Sequence, residues 1–271
     1  MYEEYLGLKE KPFQNTPNPR FLYYSPQHEE ALMRLVYAVR ERVGAAMMTG
    51  VFGCGKTVLG QALINELAGE GGEKYKIAFI TNPQLEYVEL LRAIVRNLKA
   101  IELPIKKTEL SADYLLEVLN NILLNNMRDG KETVIIIDEA HVIRDEKILE
   151  ELRLLLNFQL QDRFLLTLLL FGQPELGQRI EDNKQLEQRI AIKCHLDSLD
   201  LENTPNYISY RLKVAQRTEP IFTDEVVKLI YDNSGGIPRR INRLCELCLL
   251  AGFAKQAKVI DNKIVQEEIR G

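Results

Sequence analysis

Eight residues constrain this chain more than any others: Gly50-Val51-Phe52-Gly53-Cys54-Gly55-Lys56-Thr57. They fit the spacing G-x-x-x-x-G-K-[S/T]. An apolar run (45–49) feeds into them, and a helical pattern (58–68) begins at Val58. Strand, glycine loop and helix is the setting in which this spacing builds a phosphate cradle. The glycines let the backbone curl until successive N–H groups face one anion, and the helix N-terminus behind them adds its dipole. Lys56 can reach the β- and γ-phosphates of a nucleotide, and the Thr57 hydroxyl can ligate Mg2+.

The rest of the chain up to about residue 199 alternates helical and strand patterns. Leu32, Leu35, Val36 and Val39 line one face of a predicted helix over 29–42. Strands are predicted at 77–80, 133–137 and 164–170, with helices at 85–98, 111–127 and 146–160. Fully apolar strands alternating with helices point to a parallel sheet covered on both faces. After about residue 199 the strand signals stop. Helices are predicted at 202–215, 224–232, 238–254 and 261–269, with Thr223 as an N-cap. The expected fold class is therefore α/β, a phosphate-loop sheet sandwiched by helices. Its expected division is 1–199 for the nucleotide-binding part and 200–271 for a smaller all-α lid. Residues 1–28 carry Pro12, Pro17, Pro19 and Pro26 interleaved with Phe13, Phe21, Tyr23 and Tyr24. The prolines break regular structure, while the aromatics need something to bury against. Two placements stay open for this strap: over the rim of the nucleotide site, or on the core.

A second motif completes the chemistry. The apolar strand Val134-Ile135-Ile136-Ile137 runs into Asp138 and Glu139. Ligand sites of parallel sheets lie at the carboxyl ends of strands, and two acids there are costly unless they serve a cation or a reaction. Asp138 would share the Mg2+ shell with Thr57, and Glu139 would polarise a water for attack on the γ-phosphate. The two motifs supply opposite halves of one Mg·ATP site. An acid directly after the metal-binding acid favours hydrolysis over transfer to another acceptor.

Composition removes several other classes. The 271 residues are 46% hydrophobic and 27% charged, with a formal net charge of −4. That is ordinary for a globular protein and gives no support to a globally basic nucleic-acid binder. Local basic groups remain at Lys99, Lys106 and Lys107 and at Arg239, Arg240 and Arg243, although solvated faces are the commoner use of such groups. The apolar run over 164–171 is far below the about 18 residues needed to span a bilayer. The start, Met1-Tyr2-Glu3-Glu4-Tyr5, is acidic and aromatic rather than a secretion signal, so a cytoplasmic chain without a membrane segment is expected. Cys245 and Cys248 form a single C-x-x-C without the second pair a structural zinc site uses, and read as small buried helix residues. His141 can sense the site or hold a helix start, with the structural reading preferred. His28 can lie near the adenine or serve the structure.

These residues resemble a known family. Gly50–Thr57 and Asp138–Glu139 are similar to the Walker A and Walker B motifs of AAA+ ATPases. The opening Tyr5-Leu-Gly-Leu, Pro12-Phe13 and Thr16-Pro17-Asn18-Pro19-Arg20-Phe21, then His28-Glu-Glu-Ala-Leu, resembles the ExeA/GspA group. So do Phe171-Gly172-Gln173-Pro174-Glu175-Leu176, Gln188-Arg189-Ile190 and Gly235-Gly236-Ile237-Pro238-Arg239-Arg240-Ile241-Asn242. The group includes ATPases of type II secretion and related pilus or exopolysaccharide systems, with transposition regulators of the TnsC and TniB kind as relatives. The resemblance implies that Gly50 to Val58 hold the nucleotide and that Gln173 reads the γ-phosphate as sensor 1. It implies Arg189 as an arginine finger reaching a neighbour's site, with Arg179 a weaker candidate. It implies Arg239 as sensor 2 on the lid, with Arg240 the local ambiguity. The implied cofactors are ATP and Mg2+. The implied partners are further copies of the chain in a homo-oligomer and a secretion or envelope-assembly protein. The alternative is an ATP-dependent DNA-binding regulator of transposition. The secretion ATPases of the group carry a membrane segment and a peptidoglycan-binding domain after the lid; the sequence shows neither, which puts a cell-wall role in doubt.

Overall fold

The computed structural model describes residues 2–69, 73–98, 111–161 and 163–270. The helices are α1 (Tyr2–Tyr5), α2 (Pro26–Arg40), α3 (Lys56–Gly69), α4 (Tyr87–Asn97), α5 (Ala112–Arg128) and α6 (Glu146–Leu155), then α7 (Pro174–Asp182), α8 (Lys184–Glu187), α9 (Asn203–Val214), α10 (Asp224–Ser234), α11 (Pro238–Ala254) and α12 (Asn262–Arg270). The strands are β1 (Ala45–Gly50), β2 (Tyr75–Ile80), β3 (Glu132–Ile137), β4 (Leu166–Gly172) and β5 (Ile190–Leu196). The chain divides into two compact units. One comprises Glu30–Gly50 and Gly60–His195. The other comprises Met1–Glu29, Val51–Leu59 and Leu196–Gly271.

The first unit is built on a five-stranded sheet of order β2-β3-β4-β1-β5. The β2–β3, β3–β4 and β4–β1 pairs are parallel. Every position of β1 and β4 is buried, as is all of β3 after its first residue. Strands covered on both faces leave no place for polar alternation, which is why these stretches read as continuous apolar runs. Leu91 and Ile94 of α4, Leu119 and Ile122 of α5 and Leu149 and Leu152 of α6 share one core with Ile135, Ile137, Leu168 and Leu170. Ser111 caps α5 by accepting the Tyr114 N–H at 3.2 Å. Helix α3 comes so close to β4 that a Cβ on Gly60 would sit 2.8 Å from the Phe171 ring.

Register sets which residues share the carboxyl edge of the sheet. Thr49 pairs with Gly172, and Ile137 pairs with Leu170. Gly50, Asp138 and Gln173 therefore leave three neighbouring parallel strands at the same carboxyl edge.

Two expectations change. A strand was not expected over 190–196, where β5 lies at the edge of the sheet. Helix α6 stops at Leu155 rather than near 160, because Gln159 and Phe164 form an antiparallel bridge that turns the chain into β4. The expected turn at 69–72 and the basic group Lys99, Lys106 and Lys107 fall on or beside 70–72 and 99–110, outside the described residues. Among the described residues no helix is long and apolar enough to cross a membrane.

The second unit gathers the start of the chain onto the C-terminal helices. Tyr2, Leu6, Leu8 and Phe13 lie in one core with Tyr207, Ile208, Leu212, Phe222, Ile241, Cys245 and Leu249. The Phe13 and Phe222 rings meet edge to face at 6.0 Å, and those of Tyr5 and Phe253 at 5.6 Å. Thr223 caps α10 as expected, accepting from Val226 N–H at 3.4 Å, and Pro238 opens α11. The carbonyl of Gly236, at φ 70°, accepts the Leu199 N–H at 2.9 Å; a Cβ on this glycine would collide with the Leu199 carbonyl at 1.8 Å.

Arg211 is the polar centre of this unit. It is buried, donates to the carbonyls of Pro12 at 2.5 Å and Gln14 at 3.0 Å, and lies 4.9 Å over the Phe21 ring. The proline-rich strap lacks sheet or helix partners for these carbonyls, so the guanidinium supplies them. Arg211→Ala is expected to destabilise the protein by about 2–3 kcal/mol, as hydrogen bonds to a charged group are lost and buried carbonyls left bare. Urea unfolding checks the size, and limited proteolysis should show earlier cutting within residues 2–25. An unchanged midpoint with unchanged proteolysis would remove this role.

Candidate functional site

The glycine loop connects β1 to α3. Gly53 and Gly55 adopt φ of +86° and +107°, a region that favours glycine. Lys56 is the first residue of α3 and is 5% exposed, with its ammonium donating to the Val51 carbonyl at 3.1 Å. Thr57 and Val58 follow on the first turn, both half-buried. Cys54 is buried, and burial pushes its thiol above the usual range.

Two further contacts hold the loop. His28 Nε2 lies 3.1 Å from the Cys54 carbonyl and its Nδ1 2.6 Å from Ser25 Oγ. A carbonyl only accepts, so Nε2 carries the proton and the Ser25 hydroxyl donates to Nδ1. Burial lowers the pKa of this imidazole, against the smaller upward pull of the Cys54 carbonyl. The second contact comes from α11. Arg239 N–H donates to the Gly53 carbonyl at 3.3 Å, and its guanidinium lies 4.7 Å over the ring of Phe52, itself 54% exposed. A Cβ on Gly53 would come within 2.7 Å of the Arg239 Cβ. Arg239 thus lies against the loop, and both it and Arg240, the next residue of the helix, are exposed.

The acids stand at the end of β3. Asp138 is 2% exposed, and its Oδ1 accepts the Glu139 N–H at 2.9 Å. Glu139 adopts a left-handed backbone (φ 54°, ψ 33°) and starts a short 3-10 turn, Ala140–Val142. Its carboxylate Oε2 lies 3.3 Å from His141 Nδ1, and His141 Nε2 lies 2.8 Å from Gln173 Nε2. Gln173 leaves β4 at the N-cap of α7 without capping it by its side chain. Arg179 is engaged within its own chain: it donates to Glu146 Oε1 at 2.6 and 3.0 Å and to the carbonyls of His141 and Ile143. Arg189 follows α8, half-buried, with a long bond of 3.4 Å to Asn157 Oδ1.

These groups suit a phosphate and a hard cation. Mg2+ takes oxygen ligands and is usually bound by one or two carboxylates plus substrate phosphates. The buried Asp138 carboxylate at a strand end and the Thr57 hydroxyl at a helix start are donors of that kind. Among the described residues no cluster of three His, Cys, Asp or Glu side chains forms a cage for a metal. Cys245 and Cys248 are free and buried on α11, and burial pushes the Cys248 thiol up to about 12. Sequence reasoning ranked His28 and His141 no higher than structural residues. The run Asp138-Glu139-Ala140-His141 held the signal for the second, since it sets a ring two positions beyond an acid at a strand end.

Comparison with known proteins bears on the family and the fold. A family described as an AAA domain matches residues 15–180. The general secretion pathway protein A of Aeromonas hydrophila is 38% identical over 272 residues, which cover 99% of this chain and 47% of that protein. The chain thus spans about half the length of the curated relative it matches. Among solved structures, Cdc6p of Pyrobaculum aerophilum superposes with a TM-score of 0.77 at 17% identity, over 95% of this chain and 70% of that one. The ORC2 protein of Aeropyrum pernix in ADPNP-ADP complexes gives 0.72 at 18%, over 97% and 71%. The RuvB Holliday junction branch migration motor of Thermotoga maritima gives 0.61 at 19%, over 91% and 69%. These structures share the fold, and the family match over more than half of its length shows that the chain belongs to the AAA family of P-loop ATPases.

Proposed function

We propose that the chain binds Mg·ATP at Gly50–Val58, hydrolyses it to ADP and phosphate, and couples turnover to the assembly of a secretion or envelope complex. The observation that carries the reading is the shared edge: Gly50, Asp138 and Gln173 leave adjacent parallel strands in register. The phosphate loop, the metal-binding acid and the polar sensor arise from that one ladder.

In this reading Lys56 exchanges the Val51 carbonyl for a phosphate oxygen, and Thr57 with Asp138 holds the cation. Bound Mg2+ would neutralise charge on the phosphate oxygens. Glu139 accepts a proton from the attacking water. Gln173 contacts the γ-phosphate, and Arg239 acts from the helical residues 200–271, a lid to the nucleotide-binding residues 1–199. Arg189 reaches the site of a neighbouring copy, so the active form is a homo-oligomer. The name of the Aeromonas relative supports a secretion partner.

Lys56→Ala is expected to lose nucleotide binding and turnover together. Glu139→Gln should keep binding of a fluorescent ATP analogue while turnover falls about 10²-fold or more, the contribution of a positioned base. Full turnover in Glu139→Gln would sink the mechanism. Salt-sensitive DNA binding that requires ATP would instead favour the transposition-regulator alternative.

A mixing experiment tests the trans arginine. Arg189→Ala and Lys56→Ala should each be inactive alone, the former down by about 10³-fold. Mixed, they should recover part of the activity, because an intact loop meets an intact arginine from another copy. No recovery, together with a monomeric profile in ATP, would remove Arg189 from the site.

A further inference from the structure

The resting arrangement at the end of β3 contains a link that the ATPase reading does not use. His141 sits between the side chains of Glu139 and Gln173, 3.3 Å from the first through Nδ1 and 2.8 Å from the second through Nε2. We propose that His141 is a positioning residue: it aims the Glu139 carboxylate and ties that aim to the state of Gln173. The inference rests on the ATPase reading for the roles of its two neighbours.

The tautomer follows from the neighbours. A carboxylate accepts only, so a ring nitrogen facing Glu139 Oε2 needs a proton to attract it. A neutral imidazole has one N–H, and placing it on Nδ1 leaves Nε2 as an acceptor. The Gln173 amide presents Nε2, a donor, to that lone pair. Turning the amide would put its oxygen there, demand the proton on Nε2 and leave a lone pair facing the Glu139 carboxylate. With the ring neutral, one assignment satisfies all three groups: Gln173 N–H to His141 Nε2, and His141 Nδ1–H towards Glu139.

The link is poised rather than closed. His141 Nδ1 is buried and completes no hydrogen bond, although Glu139 Oε2 is at ion-pair distance. A small rotation of the Glu139 side chain would complete it. The backbone that carries the ring is held, its carbonyl by Arg179 at 3.3 Å and its nitrogen close to Gly172, where a Cβ would lie 3.2 Å away. When Gln173 turns its amide to a phosphate, His141 loses the donor that set its tautomer, and the hold on Glu139 changes with it. The γ-phosphate contact and the orientation of the base are then one event.

Two measurements test this. The chain has three histidines, so long-range proton–nitrogen NMR on the nucleotide-free protein can assign His141. The expected form is the Nδ1–H tautomer, with a shift towards Nε2–H in Gln173→Ala; an Nε2–H tautomer in the unmodified protein overturns the proposal. In kinetics, His141→Ala should lower kcat about tenfold with nucleotide affinity unchanged. His141→Asn, whose amide N–H can stand near the Nδ1 position, should recover part of that loss. In a Gln173→Ala background the His141→Ala change should cost under about twofold, because the link is already cut. Additive losses, or a loss of affinity at constant kcat, overturn the proposal. A protein without any ATP turnover would fell the ATPase reading itself. Turnover abolished by Glu139→Gln yet kept in His141→Ala would fell this inference alone.

Discussion

The backbone ladder joining β3, β4 and β1 determines which residues leave the sheet together. Its hydrogen bonds lie in a dry interior, with β4 buried at all seven positions, and buried backbone groups left unpaired carry a cost comparable to a lost bond. A slip in register would move every apolar side chain to the opposite face. Because the pairs Thr49–Gly172 and Ile137–Leu170 are set by this packing, the positions of Gly50, Asp138 and Gln173 are consequences of the core. Charge is admitted only where the ladder ends. Asp138 is 2% exposed, yet it follows Ile137 directly and spends one oxygen on the next backbone N–H. One residue earlier, the same carboxylate would face hydrocarbon.

The loop after β1 meets a different demand. A backbone that offers its N–H groups to an anion must settle its carbonyls elsewhere. Val51 O takes the Lys56 ammonium, Cys54 O takes His28 Nε2, and Gly53 O takes Arg239 N–H. His28 is drawn towards the neutral form by burial, so it satisfies a carbonyl with little added charge beside the proposed phosphate site. Gly53 serves twice: its φ of +86° suits glycine, and the Arg239 Cβ leaves no room for a side chain.

Much of this was legible in the sequence, for physical reasons that also mark the limits. Strands buried on both faces announce themselves as unbroken apolar runs, which is how 133–137 and 164–170 were located. Caps obey local chemistry, so Ser111 and Thr223 fall where helices begin. Strand β5 was missed because only one of its faces is well buried: Ile190, Cys194 and Leu196 alternate with exposed Ala191, Lys193 and His195. Over so few residues that pattern is weak, and Arg189 drew attention as a motif rather than as a strand entry. The strap shows the opposite limit. Aromatics among prolines demand burial but do not name the surface, and the Arg211 contacts to Pro12 and Gln14 span almost two hundred residues. The histidines stay open in the sequence for a related reason. A ring that accepts on one nitrogen and donates on the other is defined by its neighbours, and those arrive from distant segments.

The backbone at Glu139 ties the site to the fold most directly. A left-handed conformation at a non-glycine residue costs of the order of 1–3 kcal/mol and persists only where the surroundings over-determine it. Here they do. Asp138 Oδ1 accepts the Glu139 N–H at 2.9 Å, and the Glu139 carbonyl accepts Val142 N–H at 2.9 Å. Arg179 fastens the turn beyond, through His141 O and Ile143 O, and is itself anchored by Glu146. These contacts reverse the chain abruptly at the strand end, so the direction of the Glu139 side chain is set by its main chain before any rotamer is chosen. That makes Arg179 part of the scaffold of its own subunit. An arginine spent on two carbonyls and a carboxylate has no fork left for a neighbour, whereas Arg189, with one long bond to Asn157, keeps most of its donors.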